Sequence, residues 1–135
     1  MRPATPNRTL LHTALQLDAA TSGVMGVLLV LAAGTLADPL GLPEPLLRGA
    51  GLVLLPFALA VAHAGTRRVV PRQAALAILT VNLLWVVGSA ALLVGLAPSP
   101  SPLGFAFVVV QALTVLGFAE AQWIGLRRSS RMAAA

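Results

Sequence analysis

The chain has no cysteine, no lysine and no tyrosine, and only four acidic residues among its 135. Without cysteine there is no disulfide, no thiolate nucleophile and no Cys-ligated zinc or iron–sulfur centre, which also removes the disulfide-forming four-helix membrane oxidoreductases. The two histidines, His12 and His63, offer neither metal-ligand spacing nor a pair of embedded ligands for bis-histidine haem. A nucleotide-binding loop and a nucleophile–base–acid set are both missing, so the sequence predicts no catalytic residue, no metal and no cofactor, and does not read as an enzyme. Charged residues make up 10% of the chain and its mean hydropathy is +0.90, which leaves too little polar surface to coat a soluble domain of this size. The fitting solvent is a bilayer.

What charge there is has a pattern. All nine basic residues are arginine and set a pI near 11.9, but they gather at the ends of apolar segments and have few aromatic neighbours, which suits a membrane surface and not nucleic acid. Residues 19–37 and 49–66 carry no charge, each close to the roughly 20 residues needed to cross a hydrocarbon core. With the turn residues Asp38-Pro39, Gly41 and Pro43-Glu44-Pro45, the Arg67–Pro71 loop and the Pro98–Pro102 run, four helices are expected over about 15–37, 46–64, 72–97 and 103–126. Short loops make successive helices antiparallel neighbours. The expected fold is therefore all-α, a polytopic four-helix up-down-up-down bundle forming one transmembrane domain over residues 1–135. Arg2 and Arg8 precede the first span, Arg67, Arg68 and Arg72 separate the second and third, and Arg127, Arg128 and Arg131 follow the fourth. Only Arg48 breaks the pattern, so the positive-inside rule puts both termini in the cytoplasm. Two alternatives stay open at the N-terminus. A cleaved signal ending near Ala37 would leave three helices, and residues 8–17 can instead form an interfacial helix with Leu10, Leu11, Ala14, Leu15 and Leu17 against lipid.

Polar side chains within the spans are the candidate chemistry, because burying them in hydrocarbon is costly. Asp18 lies about 30 Å before Asp38, Glu120 about 27 Å after Pro102, and His63 about 6 Å before Arg67, all toward the cytoplasmic side. Asp18, His63 and Glu120 can meet there in one cluster, capped by Asn82 from the third helix. A structural account competes: Asp18 as an acid favoured by the helix dipole, and Glu120 paired with an arginine at the headgroups. Gln111 lies near the midplane and, like Asn82, is expected to make an interhelical amide bond or to line a polar path. Gln111, Thr114, Phe118 and Gln122 share one face of the fourth helix, and Glu120 points away from Gln122. Gly117, Ala121 and Gly125, four residues apart, mark a surface for close helix approach, either inside the bundle or in a homodimer.

Leu17-Asp18-Ala19 with Ser22-Gly23, Gly41-Leu42-Pro43 leading to Leu46-Leu47-Arg48, Leu55-Pro56-Phe57 and Asn82-Leu83-Leu84-Trp85 together resemble small bacterial four-helix integral membrane proteins with no assigned activity. The resemblance runs over most of the chain and implies an inner-membrane location. Arginine and alanine usage without lysine fits a high-GC bacterial genome. Two functions are expected from the residues. The first is a non-catalytic structural or accessory subunit that packs in the lipid bilayer with itself or with a larger membrane complex. The second is a minimal proton-linked carrier using Asp18 or Glu120.

Overall fold

The computed structural model describes residues 9–95 and 100–134. Arg2 and Arg8, the expected end of the third helix at Ala97, and Pro98-Ser99 lie outside them. The described residues form four helices, α1 (Leu10–Leu40), α2 (Glu44–Thr66), α3 (Arg72–Gly95) and α4 (Pro102–Ala134), with no strand among them. All four are long and apolar enough to cross a membrane.

The α2 helix runs two residues past its expected bounds at each end, and α1 and α4 run further past theirs, for local reasons. The α1 helix starts at Leu10 because Thr9 caps it, its hydroxyl accepting from the His12 N–H at 3.3 Å. The segment 10–17 is thus continuous with the span, and Leu11, Ala14 and Leu15 are buried within the protein while Leu10 and Leu17 stay exposed. At its other end α1 passes through Asp38-Pro39, since a proline in the last turn removes only its own N–H bond to the preceding turn. The helix stops at Gly41, whose φ of 63° lets its N–H reach the Asp38 carbonyl while Leu42 N–H reaches Ala37, both at 3.2 Å. The fourth helix runs past Arg127-Arg128 because arginine ends a span without ending a helix.

Contacts between helix ends gather the arginines at one pole. There His12 Nε2–H donates to the Arg67 carbonyl at 2.8 Å, which leaves Nδ1 to accept from the Thr9 hydroxyl, and Arg72 donates to Ser130 Oγ at 3.0 Å. At the opposite pole Ser101 joins α1 to α4. Its N–H donates to the Leu40 carbonyl at 3.1 Å, its hydroxyl to the Pro39 carbonyl at 2.6 Å, and its oxygen accepts from Gly104 N–H at 3.0 Å.

The order of packing differs from simple sequence order. The α1 helix packs on α2 and α4, and α3 packs on α4, but α2 and α3 scarcely touch despite their short connection. Glycine decides which faces close. A Cβ on Gly51 would lie 2.8 Å from the Gly26 carbonyl oxygen, one on Gly125 would lie 2.6 Å from the Leu11 nitrogen, and one on Gly104 would overlap the Leu40 carbonyl. Between α2 and α3 stand Leu46, Val53, Val81 and Leu84, all exposed, and the two helices stay apart. Two apolar clusters fill the interior. One, at the arginine-bearing pole, contains Leu11, Leu15, Val61, Ile78 and Leu126, and the other, toward the Ser101 pole, contains Leu29, Leu40, Leu47, Leu54 and Val108.

Candidate functional site

The buried carboxylate of Asp18 is the centre of the candidate site. It is 0% exposed, on the ninth residue of α1, past the first turn in which a helix dipole acts. Four side chains from three helices form the group. Ser22, one turn along α1, donates its hydroxyl to Oδ1 at 3.0 Å; Asn82 Nδ2 from α3 and Gln122 Nε2 from α4 donate to Oδ2 at 2.8 and 2.7 Å; and Asn82 Nδ2 also reaches Gln122 Oε1 at 3.0 Å. Asn82 and Gln122 are 3% and 1% exposed, so the network lies inside the bundle.

Every partner of Asp18 is neutral, and every one donates. The carboxyl group acts only as an acceptor here, and on gaining a proton it would have one O–H to place. Ser22 Oγ can accept it once its own hydroxyl turns away, as can Gln122 Oε1 once its amide turns over. No ion pair involves Asp18 among the described residues, where the pair found is Glu44–Arg48 at 2.7 Å on the surface of α2.

The expected four-residue cluster forms only in part. Asp18 and Asn82 meet, whereas His63 and Glu120 are both exposed and join no side-chain network. Depth along the helix put Asp18, His63 and Glu120 at one level with Asn82 capping them, but level does not set direction. Glu120 lies two residues, about 200°, from Gln122, and only one of the two can face α1 and α3. Gln122 does. Its place on the Gln111–Thr114–Phe118 face is the sequence signal for that role. Neither structural account offered for the acids describes them: Asp18 is beyond the reach of the dipole, and Glu120 has no arginine partner among the described residues.

Gln111 anchors a second network nearer the Ser101 pole. Trp85 Nε1–H donates to its Oε1 at 2.7 Å, its Nε2 donates to Ser89 Oγ at 2.9 Å and to the Val108 carbonyl at 3.0 Å, and Ser89 donates to the Trp85 carbonyl at 2.8 Å. Gln111 thus bonds across to Trp85 and Ser89 of α3, and it also lines two cavities. Trp123 is partly exposed at the arginine-bearing pole, with the Arg127 guanidinium 5.9 Å from its ring centroid.

Three cavities adjoin these networks. The largest, about 570 Å³, occupies the gap between α2 and α3 and ends on Trp85, Ser89 and Gln111. A second, of about 170 Å³, lies between α1 and α4 and is lined by Thr21, Ser22, Gln111 and Thr114 among others, and a third, of about 20 Å³, touches Ser22, Asn82 and Trp85. Trp85 borders all three, and Ser22 joins the two smaller ones to Asp18. Toward the arginine-bearing pole, Leu15, Ile78 and Leu126 pack together in one buried apolar cluster.

Of the small residues on α4, Gly125 packs against α1, Ala121 is half-buried, and Gly117 is exposed with nothing within 4 Å of where a Cβ would stand. Among the described residues no group of three or more His, Asp or Glu side chains could hold a metal ion. Comparison with protein-family models, with curated proteins and with solved structures found no match.

Proposed function

We propose that the chain is a non-catalytic multi-pass protein of a bacterial plasma membrane, with four spans in up-down-up-down order and both termini cytoplasmic, and that it works as a minimal proton-linked small-molecule carrier with Asp18 as the coupling acid. The observation that carries this reading is a fully buried carboxylate held by neutral donors from α1, α3 and α4, with a cavity lined by Ser22 and a buried apolar cluster toward the arginine-bearing pole. A charge placed at such a site without a cation is costly, and an embedded ionisable residue is a functional candidate for that reason. Binding or losing a proton would alter bonds to three helices at once, which is what coupling requires. The orientation rests on the arginines: Arg67, Arg68, Arg72, Arg127, Arg128 and Arg131 are all exposed at one pole, and Arg48 stands near the other, paired with Glu44.

Infrared difference spectroscopy during a pH titration of the reconstituted protein tests the reading. A protonated-carboxyl band is expected that is lost in Asp18→Asn and kept in Glu120→Gln, with the bundle still folded in both. If no titrating band is assignable to Asp18 over the pH range in which the protein stays folded, Asp18 is not a coupling acid.

The accessory-subunit reading keeps one supporting observation, the open space at Gly117, where a helix of a second copy or of a larger complex can approach closely. Gly117→Leu would then dissociate the assembly without unfolding the protomer. An unchanged oligomeric state in Gly117→Leu removes that support.

A further inference from the structure

We infer that the gap between α2 and α3 is a binding site for an uncharged, largely apolar molecule carrying a hydroxyl or N–H group, which enters sideways from the lipid and donates a hydrogen bond to Gln111 or Ser89. The inference rests on the carrier reading and supplies its substrate class.

Size and lining come first. A volume of about 570 Å³ lies within the range of small-molecule sites, and no charged residue lines it. A charged ligand group would have no counter-ion there, so the ligand is neutral. Leu46, Val53, Val81 and Leu84 line the gap and are also exposed on the outer surface of the bundle, so the entrance faces whatever surrounds the helices. For a bundle in a bilayer, that is lipid.

The polar requirement follows from counting protons at the inner end of the gap. Trp85 has one N–H, Gln111 two and Ser89 one O–H, and all four are already donated, to Gln111 Oε1, Ser89 Oγ, the Val108 carbonyl and the Trp85 carbonyl. What remains there is acceptor capacity, a second lone pair on Gln111 Oε1 and one on Ser89 Oγ. With these bonds kept, a ligand gains a hydrogen bond at this point by donating one. A phospholipid chain entering from the Ser101 side would bring methylenes to this end and gain nothing from it. The geometry therefore favours a free molecule with its donor group innermost over a membrane lipid with its headgroup at the surface.

The chain's two tryptophans make this measurable, since Trp85 borders the gap and Trp123 does not. In Trp123→Phe protein reconstituted into nanodiscs, fluorescence quenching is followed with a brominated medium-chain alcohol and with its methyl ether. The alcohol is expected to quench saturably, and the ether to need on the order of 3- to 10-fold higher concentration, the equivalent of one neutral hydrogen bond. Gly88 borders the gap with nothing within 4 Å of its Cβ position, so Gly88→Phe should fill the space and abolish the saturable component. Gly49→Val, equally unobstructed, is a milder check should the larger side chain disturb folding. Ser89→Ala and Gln111→Leu should narrow the difference between alcohol and ether. Quenching that is linear in both probes and unchanged by Gly88→Phe and Gly49→Val overturns the inference, because the gap then holds ordinary lipid. Saturable quenching that persists in Asp18→Asn supports the site independently of the coupling acid. If quenching fails while the Asp18 band titrates, the substrate class is refuted and the carrier reading survives.

Discussion

Asn82 shows what a single side chain contributes here. Its amide donates to both Asp18 and Gln122, so Asn82→Leu leaves the Asp18 carboxylate short of a donor and Gln122 Oε1 without that partner, in the interior of the bundle. An unpartnered buried polar group costs about 1–3 kcal/mol, and more when charged. We expect Asn82→Leu to lower the thermal midpoint of the detergent-solubilised protein by that equivalent. Replacing Asp18, Asn82 and Gln122 together by apolar residues should cost less than the three single changes summed, since no group is then stranded. Additive losses would mean that the three side chains act separately. The residue types of this network are plain in the sequence, but its membership is not. Asp18 and Asn82 stand out as polar residues in apolar spans, while Gln122 is two positions from a more conspicuous acid and becomes central only because of the way α4 is rotated.

At the level of the helices, close approach is set by glycines whose roles sequence spacing does not separate. Gly117 and Gly125 belong to one four-residue repeat, yet Gly125 abuts the α1 backbone and Gly117 faces open space. Gly125→Leu and Gly51→Leu should each destabilise the bundle by roughly 1–3 kcal/mol through overpacking against backbone, whereas Gly117→Leu should leave protomer stability unchanged. Equal losses at Gly117 and Gly125, measured as thermal midpoints, would contradict this division. Gly51 could not be picked out beforehand, because its importance depends on α2 crossing α1 at Gly26, and a crossing point is a property of two helices.

For the whole molecule, the separation of α2 from α3 leaves a space of about 570 Å³, and the arginines gathered at one pole carry the proposed orientation. The absence of cysteine makes orientation directly testable. Single cysteines at Arg68 and Ser130 should resist a membrane-impermeant maleimide in intact cells and react after lysis, while a cysteine at Asp38 should react in both. The opposite labelling pattern would invert the proposed orientation.

The sequence by itself determined four apolar helices, their approximate limits and the clustering of arginine, because these follow from local composition and the length a helix needs to cross a hydrocarbon layer. It also singled out Asp18, Asn82 and Gln111, since polar groups within apolar spans are costly wherever they point. Only the tertiary structure decided that α2 and α3 stand apart, that Gln122 and not Glu120 faces Asp18, that His63 is exposed, and that Gly125 packs inside the protomer. Each of these depends on the rotation of one helix about its axis relative to another, and a rotation of about 100° per residue turns neighbouring positions in unrelated directions at nearly the same depth.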